Sequence, residues 1–290
     1  MAFVFVSMLF FFVQNASNKE LGAHFRTDTP LLMRFQWVVH AAMLLTLAVM
    51  EIPKWSAESA AFDAEAAILA LIYGLAFLAT VTVLTKAFSV GPVGATTLVV
   101  NLSLVLSVAA SAVFFEESIT LTRALGIPCV LVTLVLSAMG GAGGKKGNAV
   151  WVVLTLFAFI GDGALSIIQK TLLALCPDVS TNFFLLVSAA CGLIACTAGC
   201  AFTKTDAVSA GNAKLFVILG LLVGVSTVFG TAFSLKALSM LDGVIVFPVR
   251  QGSLILAMTL YGILRYRDRF DLKTVAMLLS GIAGIILLNV

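Results

Sequence analysis

Residues 66–88 read AAILALIYGLAFLATVTVLTKAF, and the first charge in that run is Lys86. A helix rises 1.5 Å per residue, so about 20 apolar residues cross the hydrocarbon layer of a bilayer. The run is apolar on every side and does not alternate with period 2. It therefore reads as a membrane-spanning helix and not as a barrel strand.

Working outward, the same pattern recurs near 1–18, 31–50, 92–115 and 121–139 on one side of the chain's midpoint. Beyond it, further spans are expected near 149–171, 180–203, 214–238, 243–264 and 271–289. The whole chain agrees with its parts: of 290 residues 61% are apolar and 11% charged, with a mean hydropathy of +1.13. An ordinary soluble domain is about one quarter charged, so there is too little polar surface here to face water. The expected fold class is an all-α polytopic membrane protein of about ten transmembrane helices. The opening MAFVFVSMLFFFV lacks a basic n-region and a small-residue cleavage site after Val13. It is expected to be the first span and not a secretion signal.

The stretch Gly140-Gly141-Ala142-Gly143-Gly144-Lys145-Lys146-Gly147-Asn148 falls near the midpoint and reads as a linker. Five spans precede it (1–139) and five follow (149–290). A shift of 150 residues aligns Lys86-Ala87-Phe88-Ser89 with Lys236-Ala237-Leu238-Ser239 and Asn101-Leu102-Ser103 with Gln251-Gly252-Ser253, and Gly74 then meets Gly224. An odd number of spans per repeat makes the second copy enter the membrane from the opposite face. Inverted repeats around a midplane site are a common plan of secondary transporters.

Charges deep in a span mark functional candidates, because each costs about 2.5–3.5 kcal/mol to insert. Asp162 and Arg250 are the two deep ones. Measured from a common face, their depths differ by roughly 3 Å, close enough to meet. Two readings stand side by side: an ion pair that ties two helices together, or a pair that binds a charged or zwitterionic substrate. Uncharged polar residues at Gln14, Asn15, Asn101, Ser166, Gln169, Gln251 and Ser253 form a second layer. Singly each reads as an interhelical hydrogen bond; as a set they read as the lining of a binding site.

Other features read as structural. Lys86, Lys170 and Lys236 end their spans and snorkel. Cys129, Cys176, Cys191, Cys196 and Cys200 behave as small apolar side chains, with no metal or other cofactor expected. The linker departs from a phosphate loop, since Met139 stands at the first glycine position and Lys146 at the Ser/Thr position. No G-x-S-x-G or H-E-x-x-H occurs, and Asp162 has no second mid-span aspartate to form a protease dyad. An enzyme is not expected, nor a nucleic-acid partner at a net charge of +3.

Several segments resemble the EamA-type branch of the drug/metabolite transporter superfamily. They are the Lys86-Ala87-Phe88 ending of the third span and Phe115-Glu116-Glu117-Ser118-Ile119-Thr120. Asp162-Gly163-Ala164-Leu165-Ser166-Ile167-Ile168-Gln169-Lys170 and Val246-Phe247-Pro248-Val249-Arg250-Gln251-Gly252-Ser253 complete the set. The resemblance implies a ten-helix basket with inverted repeats, a central cavity and cytoplasmic termini. The chain departs from it where a Glu often closes the second half, here Arg267 or Asp268. The Lys and Arg count of the loops points the other way on topology. Eleven lie on the face of loops 1–2, 3–4, 5–6, 7–8 and 9–10 against four on the other, which favours termini outside.

These readings lead to an expected carrier of a small polar metabolite or drug in the plasma or inner membrane, as monomer or homodimer. Its partners are the substrate, the lipid bilayer and, for uphill transport, a coupling proton or ion. A channel or a lipid scramblase or flippase is the alternative.

Overall fold

The computed structural model describes residues 1–25, 27–51, 64–114, 120–139, 149–176, 179–202, 210–238, 240, 243–268 and 271–289. Among them the chain is all helical, with no strand. The helices are α1 (Ala2–His24), α2 (Thr29–Glu51), α3 (Ala64–Val90), α4 (Val93–Asn101), α5 (Leu104–Phe114) and α6 (Leu121–Met139). After the linker, which lies outside the described residues, come α7 (Ala149–Leu175), α8 (Thr181–Phe202), α9 (Ala210–Leu238), α10 (Gly243–Tyr266) and α11 (Leu272–Asn289).

Five of these helices carry segments long and apolar enough to cross a membrane: Thr29–Met50, Ala64–Val90, Ala149–Gln169, Asn182–Phe202 and Asn212–Ser234. Their outer faces carry bare hydrocarbon. Leu45, Leu75, Phe157 and Ile194 are exposed at 67%, 46%, 62% and 69%, an arrangement that suits lipid and not water. That is the build of an integral membrane protein. Hydroxyls within the helices bond to the carbonyl four residues back, as Thr46 does to Ala42, Thr82 to Leu78 and Thr171 to Ile167. In hydrocarbon a hydroxyl has no water to turn to, so the backbone of its own helix satisfies it.

Two helices differ from the sequence reading. The first runs to His24 and not to residue 18. Lys19, one residue beyond the expected end of that span, is helical and only 8% exposed. Its ammonium does not end the helix because carbonyls of a neighbouring turn receive it: Nζ donates to Phe88 O at 2.6 Å and Gly91 O at 3.0 Å. The expected span 92–115 is divided at Leu102 and Ser103. There Ser103 N bonds Val100 O at 3.0 Å and Val105 N bonds Leu102 O at 3.0 Å. These i→i+3 bonds tighten the turn to 3₁₀ geometry, which often marks a hinge or a functional site.

In the packing, α1 lies against α9, α10 and α3, and α2 against α8 and α9. Helix α3 also meets α7 and α8, α10 meets α4 and α11, α7 meets α4 and α5, and α6 meets α11. Small residues allow the close crossings. A Cβ at Gly74 of α3 would run into the Ser188 carbonyl of α8; one at Gly224 of α9 would lie 2.6 Å from the Val39 carbonyl oxygen of α2. Close backbone approach through glycine is the usual way membrane helices gain packing energy.

Candidate functional site

The sequence Gly161-Asp162-Gly163 places a carboxylate between two residues without side chains. Gly161 abuts Thr80 of α3, and Gly163 abuts Leu106 of α5. These two contacts draw α7 in so that Asp162 reaches the tightened turn of α4–α5, where Ser103 Oγ donates to Asp162 Oδ2 at 2.5 Å. Ser166, one turn on, donates to the Asp162 backbone carbonyl at 3.1 Å.

Arg250 approaches from α10. Its Nη1 donates to Ser234 Oγ on α9, and its guanidinium lies over the Phe11 ring of α1 with 5.3 Å to the centroid. Each of the two charges expected at similar depth is thus seated on its own serine.

The amides behave in three ways. Gln14 Nε2 donates to Thr227 Oγ1 of α9 at 2.8 Å, and Gln169 Nε2 to Tyr73 Oη of α3 at 2.8 Å. Both link helix to helix. Asn101 bonds within its own helix, Nδ2 donating to Thr97 O at 2.7 Å. Gln251 is buried with no hydrogen-bond partner for its Oε1, and the same holds for Thr97 Oγ1 on α4, the helix packed against α10. Asn15 is half-buried on α1, beside Gln14. Next to Gln251, Gly252 is buried, yet a Cβ built on it meets nothing within 4 Å. Open space therefore adjoins the segment Arg250-Gln251-Gly252.

The sequence reading missed Ser103, Ser234 and Phe11, which contact the two charges directly. Ser103 carried a signal, as it aligns with Ser253 across the 150-residue shift. Ser234 and Phe11 carried none, because a serine or a phenylalanine in an apolar span is common.

A second polar cluster sits where α1, the α3–α4 turn and the α10–α11 turn meet. Glu20 accepts from Tyr261 Oη at 2.6 Å and from Arg265 Nε at 3.1 Å, and its other oxygen lies 3.3 Å from His24 Nδ1. Lys19, besides its two carbonyls, lies over the Tyr266 ring at 4.8 Å. Arg267 turns the chain with φ 55, and Asp268 then accepts from Val93 N at 3.0 Å. The acidic residue at this turn thus caps the start of α4. Burial holds its carboxyl above the usual range, against the opposing pull of Val93 N–H and Lys19. Among the described residues no three His, Cys, Asp or Glu side chains gather as a metal site. No family model matches the chain, and no curated protein is similar to it in sequence.

Proposed function

We propose that this protein is a secondary carrier that moves a small polar metabolite or drug by alternating access, built as two inverted five-helix repeats (1–139 and 149–290) and similar to EamA-type drug/metabolite transporters. The observation that carries the reading is the pairing of helix crossings under the 150-residue shift. Gly74 rests on the carbonyl of Ser188, and Gly224, its counterpart, on the carbonyl of Val39, one residue from the counterpart of Ser188. Gly161 rests on Thr80, and Gly230, the counterpart of Thr80, on Phe11, the counterpart of Gly161. Most neighbours follow suit: α1–α9 pairs with α7–α3, α2–α9 with α8–α3, and α1–α10 with α7–α4 and α7–α5, while α2–α8, α4–α10 and α6–α11 map onto themselves; the α1–α3 contact is the exception, with no comparable contact of α7 with α9 among the described residues.

Apolar segments align by chance, but chance alignment does not dictate which helices touch. Two interlocked copies can exchange conformations, and with inverted topology that exchange turns one face's opening into the other's. The guest reads as charged or zwitterionic, since a carboxylate at Asp162 and a guanidinium at Arg250 lie within the helices, with open space at Gly252, two residues from Arg250. Asp162 is the coupling residue if transport is proton-driven. The carrier works in the plasma or inner membrane, as a monomer or homodimer.

The test starts with thermal-shift screening of amino acids, amines, nucleosides and sugars on detergent-purified protein. Each stabilising compound is then measured for counterflow in proteoliposomes. Saturating trans-stimulation is the expected result; flux that neither saturates nor responds to trans substrate overturns the carrier in favour of a channel or scramblase. With Asp162→Asn, pH-gradient-driven uptake disappears, and unchanged gradient dependence removes the coupling role.

A further inference from the structure

Between the charged pair and the end of α10 the structure is layered. Along α10, Arg250 is followed turn by turn by Leu254, Met258, Tyr261 and Arg265. At 1.5 Å per residue, Tyr261 stands about 16 Å from Arg250 along the axis. The layer between is apolar and closed: Phe88, Val93, Leu254 and Met258 are 1%, 0%, 5% and 0% exposed, with Phe11, Phe12 and Leu84 packed on them. Above that plug lies the polar cluster of Lys19, Glu20, Tyr261, Arg265, Tyr266 and Asp268.

The cluster's bonds follow a seam. On one side, the end of α1 is fixed to the α3–α4 turn by Lys19 to Phe88 O and Gly91 O and by Thr27 Oγ1 to Ser89 Oγ at 3.0 Å. On the other side are the end of α10 and the turn into α11. Four contacts cross the seam: Glu20 to Tyr261, Glu20 to Arg265, Lys19 over Tyr266, and Asp268 to Val93 N. Every one joins a residue before the linker to a residue after it. The position that the 150-residue shift pairs with Lys19 is Gln169, and it bonds Tyr73 with no charge involved. The latch is thus asymmetric, as is the α1–α3 contact beside it, whereas most of the helix crossings beneath are paired.

We propose that this cluster is the latch of a gate: it holds the α1 and α3–α4 ends against α10–α11 over the apolar plug, and parting it opens the charged site to that membrane face. The proposal rests on the carrier reading and names the element that closes one of its two states. Its charges suit the task. Ion pairs at the membrane edge are stable when paired and soluble when parted, so one set of side chains serves both conformations.

The experiment needs no substrate. The five native cysteines are replaced by alanine, Ser234→Cys, at the residue that bonds Arg250, serves as reporter, and purified protein is reconstituted in liposomes with its orientation determined. A membrane-impermeant charged maleimide is added from either side and the labelling rate read by gel shift. In the parent, labelling from the latch face is slow. With Lys19→Met and Asp268→Asn together, that rate rises at least tenfold. A second variant works in the opposite sense: a Cβ at Gly262 lies 3.2 Å from Val93 Cβ, slightly inside the usual disulfide span, and 2.6 Å from Asp268 Oδ2, so Val93→Cys with Gly262→Cys is introduced into the loosened variant, whose side chain at 268 no longer has to hold the latch. Oxidation then suppresses latch-face labelling of the reporter in the loosened variant, and reduction with dithiothreitol, removed before the maleimide is added, restores it once the labelling of the same variant without the reporter cysteine is subtracted. An unchanged rate in the loosened variant, with its elution profile intact, overturns the latch. Fast labelling of the parent from the latch face overturns it as well. Counterflow in the parent judges the carrier reading separately, so a failed latch and a failed carrier give different results.

Discussion

Replacing Gly74 by alanine adds one methyl where α3 crosses α8. That methyl meets the Ser188 carbonyl head-on and lies 3.1 Å from the carbonyl carbon and 3.3 Å from Cys191 Cβ. At Gly224 the added carbon lies 2.6 Å from both Val39 O and Ala42 Cβ and 3.2 Å from Met43 N. Ordinary contact begins about 1 Å further out, and backbone atoms of a packed helix cannot rotate aside. Overpacking of this kind costs about 3 kcal/mol at its upper end. Alanine's better helix propensity returns about 1 kcal/mol, leaving a net loss of about 2 kcal/mol at either site. Gly252 supplies the control, because a Cβ there meets nothing within 4 Å; alanine should stabilise by about 1 kcal/mol.

With about 2 °C per kcal/mol for a chain of this size, Gly74→Ala and Gly224→Ala should each lower Tm by about 4 °C, and Gly252→Ala should raise it by about 2 °C. Fluorescence-monitored thermal unfolding in one detergent at one protein concentration reads all three. The near-equality of the first two matters as much as their sign, because it follows from the paired crossings. If Gly74→Ala and Gly252→Ala melt together, the backbone approach at α3–α8 is wrong. If Gly74→Ala is costly and Gly224→Ala is harmless, the pairing is wrong.

Three further outcomes follow from the site and the helix ends. Asp162→Asn and Arg250→Gln each weaken a charged hydrogen bond and should destabilise by about 1–3 kcal/mol, and if the two charges act on one another the double variant loses less than the sum; additive losses in the thermal melts would count against the coupling. Gly252→Leu fills the open space, so uptake should fall to background while Tm holds within about 2 °C of the parent, and a fall in both would locate the space elsewhere. Asp271 caps α11, and the Thr274 backbone N–H holds its carboxyl below the usual range. A depressed carboxyl adds stability above its unfolded value and loses it as pH falls through the folded one. The Tm deficit of Asp271→Ala should therefore be full at pH 7 and shrink below about pH 4, and a pH-independent deficit would refute the charge's role.

The helices were legible because lipid imposes a single long-range rule. A segment such as 66–88 must satisfy its backbone internally and present apolar atoms outward, and its composition announces this without reference to any neighbour. Where the rule has exceptions, the reading slipped. Lys19 looked like a loop residue because a lysine in a span is expensive. It is helical because Phe88 and Gly91 bring two carbonyls to it, and those lie 69 and 72 residues away. The break at Leu102–Ser103 carried no proline or glycine to announce it. It follows from a local shift of hydrogen bonding that brings Ser103 to Asp162.

The site shows the same division between what a residue declares and what its surroundings decide. Asp162 and Arg250 declared themselves, since a charge in hydrocarbon needs a reason wherever it is packed. Gln14 and Gln169 were chosen on the same logic, and the structure sends both to neighbouring helices as interhelical bonds, the use that polar residues in spans most often have. Gln251 is the contrary case. It is buried beside open space with its carbonyl oxygen unpartnered, and a buried acceptor left without a donor is destabilising by about 1–3 kcal/mol. Asn18, Gln36 and His40 carry unpartnered buried polar atoms as well, so the open acceptor alone does not single out Gln251. What singles it out among the amides named from sequence is the open space at Gly252 beside it, and in the proposed carrier it is therefore the amide placed best to meet a guest.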